Sequence, residues 1–427
     1  MKTIQPPVRV AIIGMCGWAA QHHRAIRVLE AEGLCILVAT SDKFPENCAA
    51  QIEALEFASR GVKVFSDPVR LLEDCRGQLD CVCIPTPIQT HADLHRLCVD
   101  QGLAVLLEKP PTLNSPELER MLEVESRAEK KTEVAFMYVV DEVRQSLKRR
   151  LLDGEFGALK RVGTIGHWPR TDLDYQRNPW IGKLVCDGSY VLDSSFGNAL
   201  SHFVVNILFW AGKDHLSAWG QPVQVESEVY RAHAVSGAET FFVRAVTDGG
   251  VELLAATSHA CERQLNFEQV VCENATITWR VADHYTIDWA DGRPQEKAPV
   301  FLGDLVSALF RNYFLYLLGR SPRPTIALED THAFVSLHDL AYVASGGIHT
   351  VGDRFVNRAQ TGSGGHLSAI ANVGEAAEQF MATGRLPAEQ GRPWAIAGST
   401  AGRADLDQFL PLIDREVLRQ LEGEAQK

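Results

Sequence analysis

The sequence predicts an α/β half followed by an α+β half: a doubly wound parallel sheet, then a domain built on a large, open, mostly antiparallel sheet. Three observations carry this. Short apolar runs at 8–13, 35–42, 79–84 and 103–107 read as strands buried on both faces, and helical patterns separate them. After residue 154 the runs alternate apolar and polar, as in a sheet with one covered face. The run 103–107 also ends in Glu108-Lys109-Pro110-Pro111. Proline has no N–H to donate, so pairing stops and leaves a carboxylate and an amine at the carboxyl edge of the sheet.

Taken in order, the β-branched run 8–13 ends at Gly14, and Gly14-Met15-Cys16-Gly17-Trp18-Ala19-Ala20 leads into a helical pattern to residue 32. Strand, glycine turn and helix form the context of a dinucleotide fingerprint. Cys16 holds the second-glycine position, where it is expected to crowd a pyrophosphate, with Gly17 supplying the close approach; Ala19 holds the third. Asp42 closes the second strand, placed to accept hydrogen bonds from adenosine ribose hydroxyls. Lys43 follows and would suit a 2′-phosphate, so NAD is favoured and NADP is not excluded.

A helix over 45–60, a strand at 62–65 and a helix capped by Asp67-Pro68 lead to the strand 79–84. The loop Pro85-Thr86-Pro87-Ile88-Gln89-Thr90-His91 opens a helix ending at Gly102. A helix at 115–130 and a strand at 133–138 complete a domain over residues 1–138. A second domain is expected over 139–349, with a helix at 141–153, strands at 158–166, 223–232, 240–247, 250–258 and 269–280, and helices at 302–318 and 331–345. Residues 350–427 read as an extension, helical at 367–383 and 404–423.

Composition narrows the partners. A net charge of −12 with no basic cluster argues against nucleic acid or an anionic membrane surface as the partner. Residues 1–7 lack the apolar core of a signal peptide, and the apolar run 203–212 is too short to span a bilayer. The ten cysteines show no C-x-x-C and several sit in apolar runs, so they read as small buried hydrophobes in a reducing, cytoplasmic setting, with neither disulfides nor a metal. The histidines show no metal-ligand spacing.

Four motifs resemble the glucose–fructose oxidoreductase, inositol dehydrogenase and MocA (Gfo/Idh/MocA) family: the Gly14–Ala20 turn, Asp42, Thr86-Pro87-x-x-x-His91 running on to Gly102, and Glu108-Lys109-Pro110. A fifth is Asp187-Gly188-Ser189-Tyr190-Val191-Leu192-Asp193, leading to His202 and ending at Trp210-Ala211-Gly212. The resemblance covers roughly residues 8–346. It implies a Rossmann-like first domain that binds NAD through Gly14, Cys16, Gly17, Trp18, Ala19 and Asp42, with Thr86, Pro87, His91, Glu108 and Lys109 beside the cofactor. It also implies oxidation of a secondary alcohol on a small molecule. The family's aspartate and histidine stand four residues apart, whereas Asp193 and His202 are nine apart, implying about five inserted residues.

The residue types fit that chemistry. Histidine takes a hydroxyl proton near neutral pH, and an ammonium stabilises the developing alkoxide. His202 is therefore expected as proton acceptor, Lys109 as electrostatic stabiliser and Asp193 as the group that orients one of them; the first two roles could be exchanged. Asn198, inside the insertion, could take a neighbouring polar role. The stretch 167–180 is dense in aromatic and basic side chains, and Trp168, Arg170, Tyr175 and Arg177 are expected near a sugar or polyol. Two other outcomes fit the same motifs: an enzyme that retains NAD and uses transient oxidation for elimination or hydrolysis, and a non-catalytic NAD-binding regulator. An open sheet with one uncovered face also predicts a homodimer or homotetramer formed through it.

Overall fold

The computed structural model describes residues 4–301 and 303–425. The chain divides into two compact units, Met1–Thr112 with Pro116–Asp141 and Leu302–Thr331, and Leu113–Ser115 with Glu142–Phe301 and His332–Lys427. This differs from a division at 138 and 349.

In the first unit six parallel strands, β1 (Val8–Ile13), β2 (Cys35–Ser41), β3 (Lys63–Phe65), β4 (Cys81–Ile84), β5 (Ala104–Leu107) and β6 (Glu133–Val134), lie in the order β3-β2-β1-β4-β5-β6. The chain reverses direction across the sheet between β1 and β4, the place where open sheets of this order hold ligands beyond their carboxyl ends. Helix Ala19–Ala31 follows β1. Asp67 caps helix Pro68–Asp74 by accepting a 2.8 Å bond from Val69 N. The strand expected at 133–138 is only two residues long; a 3-10 turn, Met137–Val140, replaces its end.

Helix Leu305–Leu317 belongs to this unit. Asp304 caps it, and its apolar stripe of Leu309, Phe310, Tyr313, Phe314 and Leu317 joins the core of Val8, Val10, Ile26 and Leu29. The periodicity gave the helix but not the partner it packs on, because many apolar faces accept the same stripe.

The second unit is built on a ten-stranded sheet ordered Glu296–Pro299, His284–Trp289, Ala275–Arg280, Leu265–Cys272, Leu159–His167, Glu252–Ser258, Thr240–Thr247, Pro222–Arg231 and His349–Thr350, with Thr400–Gly402 also pairing Pro222–Arg231. Pairing is antiparallel except for Leu159–His167 on Glu252–Ser258 and Pro222–Arg231 on His349–Thr350. The single strand expected at 269–280 is a hairpin, turned at Glu273 and Asn274. Apolar–polar alternation runs through the turn and hides it.

Alternation along Thr240–Thr247 sends neighbouring side chains to opposite faces. Phe241 meets Phe196 and Tyr342 on one face, where helix His332–Ser345 packs. Phe242 meets Phe380 and Trp394 on the other. Helix Val373–Thr383 supplies Val373, Ala376, Ala377, Phe380 and Met381 to that second face, over Ile165, Leu254 and Ala256. The sheet is thus covered on both sides along its central strands. The helix expected over 367–383 begins as strand His366–Ile370 and becomes helical only at Val373.

Candidate functional site

Each unit carries its own group of the residues that the sequence singles out. In the first unit Gly14 has φ +129°, and a Cβ there would stand 3.2 Å from Ala19 Cβ and 3.4 Å from Pro85, so β1 can turn this closely onto helix Ala19–Ala31 only without a side chain. Ala19 is buried at that contact. Gly17, at φ +63°, faces open space. These positions suit a dinucleotide cradle at the first and third places of the turn. At the second place Cys16 is exposed and forms a disulfide with Cys48, contrary to the expectation of reduced cysteines throughout; the other eight are buried free thiols. The cause is tertiary, since the turn Pro45–Cys48 folds back onto the glycine turn and brings distant cysteines together. Asp42 accepts from Met15 N (3.0 Å) and Phe44 N (3.1 Å).

Glu108, at the carboxyl end of β5, is the hub of this group. Its Oε1 accepts from Trp18 Nε1 (2.7 Å) and meets His22 Nε2 (2.9 Å), and its Oε2 accepts from Lys109 N (2.9 Å). Burial alone would raise its pKa. His22, the Lys109 charge and Trp18 outweigh that and hold it at about 2. Glu108 thus ties the helix after the glycine turn to the Lys109–Pro110 corner, whose peptide is cis. His91 begins helix His91–Asp100 and is buried between the carbonyls of Thr86 (2.8 Å) and Pro110 (3.0 Å). Thr86 receives a bond from Thr90 Oγ1 (2.7 Å), and Pro87 is exposed. Lys109 is half-buried.

A carboxyl group with a depressed pKa stabilises the fold above its unfolded value, and that stability is lost as pH falls through the folded value. Glu108→Gln is therefore expected to flatten the fall in unfolding free energy between pH 4.5 and about pH 2, read from denaturant titrations across that range.

In the second unit the strand Leu159–His167 continues past His167, with Trp168 N donating to Ser258 O (2.9 Å) and Arg170 N to His259 O (3.1 Å). Thr171 then caps helix Asp172–Gln176 through a capping box with Asp174 (2.8 and 3.0 Å). Arg170 Nη1 lies 3.7 Å from Asp193 Oδ2, and its guanidinium stands 5.7 Å from the Tyr175 ring. Asp193 is buried; Oδ2 accepts from Gly182 N and Oδ1 from Asn198 Nδ2, both at 2.6 Å.

The insertion after Asp193 forms a π-helical turn, Ser195–Ala199, before helix Ser201–Ala211. Asn198 sits in that turn and bridges back to Asp193, while His202 lies, buried, in the first turn of the helix. Leu200 interrupts the two, so Asn198 and His202 do not share one continuous helical face. Trp168 packs edge-on to Phe203, the neighbour of His202, at 6.0 Å. The structure thus gathers Asp193, Asn198, Arg170 and Tyr175, and anchors Trp168 beside the helix of His202. Arg177 stays outside. It is exposed and pairs with Asp174 at 3.7 Å, because the short helix turns it to solvent.

Two groups escaped the sequence reading. Tyr175 donates to Glu239 Oε1 (2.6 Å), which also meets His233 Nδ1 (2.5 Å). Burial would raise the Glu239 pKa, but His233 and Tyr175 hold it below the ordinary carboxylate value. The Tyr175 hydroxyl therefore anchors the loop. Beneath helix Ser201–Ala211, Arg144 and Glu268 form a fully buried bidentate pair, and Asn206 Nδ2 (2.6 Å) and Trp210 Nε1 (3.0 Å) also donate to Glu268. A glutamate in register with Val270, Ile277 and Trp279 on one sheet face was the available signal.

Thr171→Ala is expected to cost about 1 kcal/mol of unfolding free energy through the lost cap. Urea unfolding of the variant beside wild type would measure it.

Residues 8–136 match the model of a family described as an oxidoreductase family with an NAD-binding Rossmann fold, GFO_IDH_MocA. Over those residues the chain resembles the Gfo/Idh/MocA family. Among relatives, inositol 2-dehydrogenase 4 of Saccharopolyspora erythraea is 30% identical over 151 residues, 35% of this chain and 42% of that protein. A dTDP-3,4-didehydro-2,6-dideoxy-alpha-D-glucose 3-reductase of Actinomadura kijaniata is 30% identical over 43% of this chain and 54% of its own length. The aligned stretch thus spans about half, or less, of the length of these curated relatives. Among solved structures, the WlbA dehydrogenase of Bordetella pertussis in complex with NADH and UDP-GlcNAcA is 20% identical, with a TM-score of 0.63, covering 79% of this chain and 96% of that one. That likeness is one of fold.

Proposed function

We propose that the chain is an NAD-dependent oxidoreductase that moves a hydride between the cofactor and a secondary alcohol of a sugar, polyol or related small hydroxy compound. The observation that carries this is the first unit's sheet order β3-β2-β1-β4-β5-β6, with the Gly14 turn, Asp42 and Glu108-Lys109 at the carboxyl ends of β1, β2 and β5. The family match and the dehydrogenase and reductase names of the relatives support the same reading.

NAD, when bound, supplies the hydride acceptor for alcohol oxidation. Gly14, Gly17 and Ala19 would hold its pyrophosphate over the start of helix Ala19–Ala31, where unpaired N–H groups favour anions. Asp42 would face its ribose, and Glu108 fixes the Trp18 and Lys109 positions. His202 takes the hydroxyl proton, and the Lys109 ammonium stabilises negative charge on the oxygen. Asp193, with Asn198 and Arg170, orients the substrate and the start of the His202 helix; Trp168 offers an apolar ring face to a sugar.

No described helix is long and apolar enough to cross a membrane. Eight buried free thiols support a cytoplasmic setting. In a homodimer or homotetramer formed through the large sheet, the outer face left to the partner is that of the strands from Leu265–Cys272 to Glu296–Pro299, because helix Val373–Thr383 covers the centre.

The deciding experiment is spectrophotometric. Purified protein under reducing conditions is given NAD or NADP with polyols, aldoses and sugar acids in turn. Reduced nicotinamide is expected with NAD and at least one of these classes. Silence across the panel, with cofactor binding established by calorimetry, would overturn the dehydrogenase reading.

A further inference from the structure

The disulfide in the first unit lies where the cofactor reading needs space. Cys16 is the second residue of the glycine-turn motif, and Cys48 ends the 3-10 turn Pro45–Cys48 that follows Asp42; their Cα atoms are 6.1 Å apart. The bond ties the turn that must lie under a pyrophosphate to the segment that must flank the adenosine. Other contacts close the same gap. Met15 N donates to Asp42 Oδ2 (3.0 Å), Phe44 N donates to Oδ1 (3.1 Å), and Gln51 Nε2 donates to Met15 O. The carboxylate expected to receive ribose hydroxyls is thus engaged by backbone on both oxygens. Cys16 is exposed, whereas Cys48 is 2% exposed and the remaining cysteines are buried. Reagents from solution therefore reach this pair through Cys16.

We propose that Cys16 and Cys48 are a thiol–disulfide site that gates dinucleotide binding. Bridged, they hold the segment after Asp42 against the glycine turn and close the adenosine end. As two thiols they release that segment and free Asp42 for the ribose. The proposal rests on the reading of the first unit as an NAD site.

The exchange balances with a dithiol as reductant. One of its thiolates attacks Cys16 Sγ, the sulfur–sulfur bond breaks, and Cys48 leaves as a thiolate that takes a proton. The mixed disulfide on Cys16 is resolved by the second sulfur of the dithiol, and Cys16 leaves and is protonated in turn. Two electrons and two protons pass to the protein, and the dithiol ends as a cyclic disulfide. A small-molecule disulfide as oxidant reverses both steps.

The test uses the full chain, oxidised with glutathione disulfide or reduced with dithiothreitol and then freed of reagent. Thiol counting in denaturant should find two more thiols in the reduced form. Calorimetric titration with NAD should show affinity at least about tenfold higher in the reduced form, the equivalent of one or two hydrogen bonds regained at the adenosine end. Cys48→Ser, which cannot form the bridge, should bind NAD like the reduced protein with or without dithiothreitol. Equal thiol counts after the two treatments would overturn the gate, as would equal NAD affinity in folded oxidised and reduced protein. Absence of NAD binding by reduced wild type and Cys48→Ser alike, with circular dichroism showing both folded, would overturn the NAD reading itself and the gate with it.

Discussion

Replacing His202 by alanine is expected to lower kcat for alcohol oxidation by about 10²–10⁴-fold while KM for the alcohol changes little, the signature of a lost general base. His202 is buried in the first turn of a helix whose residues are all buried, so its backbone position is fixed by packing and the variant should keep its fold. Lys109→Met should cost about 10²–10³-fold in the same assay, as expected for one donor to a developing oxyanion. Groups that act on one proton and one charge are not additive, so the double variant should be little slower than His202→Ala. Single-turnover and steady-state rates of the three variants would check this. An undiminished kcat in His202→Ala would remove His202 from the role.

The second large effect is on stability. Glu268→Ala is expected to lower unfolding free energy by about 3–5 kcal/mol, because it removes the bidentate carboxylate from a fully buried guanidinium. Arg144 lies 4.3 Å from the centroid of the Trp279 ring and 5.3 Å from that of Trp210, so the guanidinium is held by rings as well as by the carboxylate. Replacing both partners with Arg144→Met and Glu268→Leu should restore only part of the loss, since the apolar pair removes the buried charges but also the carboxylate that accepts from Asn206 Nδ2 and Trp210 Nε1. Urea unfolding followed by tryptophan fluorescence would measure all three. A loss under about 1 kcal/mol in Glu268→Ala would show that Arg144 finds another partner or water.

The parallel half of the fold was legible because strands buried on both faces leave uninterrupted apolar runs, and each ended in a residue with a reason to stop pairing. Gly14, Asp42 and Glu108 could be placed at strand ends for that reason. Alternating strands gave the second sheet but not the hairpin turn at Glu273 and Asn274, since period-two patterning continues across it. The π turn carrying Asn198 was foreseen only as an insertion. Its link to Asp193 depends on where the chain returns, and no local pattern encodes that. The pairing of Arg177 with Asp174 was hidden for a similar reason: residue type does not say which side of a one-turn helix faces water. The Cys16–Cys48 contact joins residues 32 apart through tertiary folding alone.

The placement of helix Val373–Thr383 and Trp394 on the outer face of the large sheet has a thermodynamic consequence. A sheet shielded by its own chain needs no second molecule to bury its central strands, so the seating of helix Val373–Thr383 and Trp394 on it carries no intrinsic dependence on protein concentration. Its shielding is instead a first-order, intramolecular event. Trp394, packed on Tyr230 and Phe242 and donating to Ala371 O, is a built-in optical reporter of whether that segment is seated.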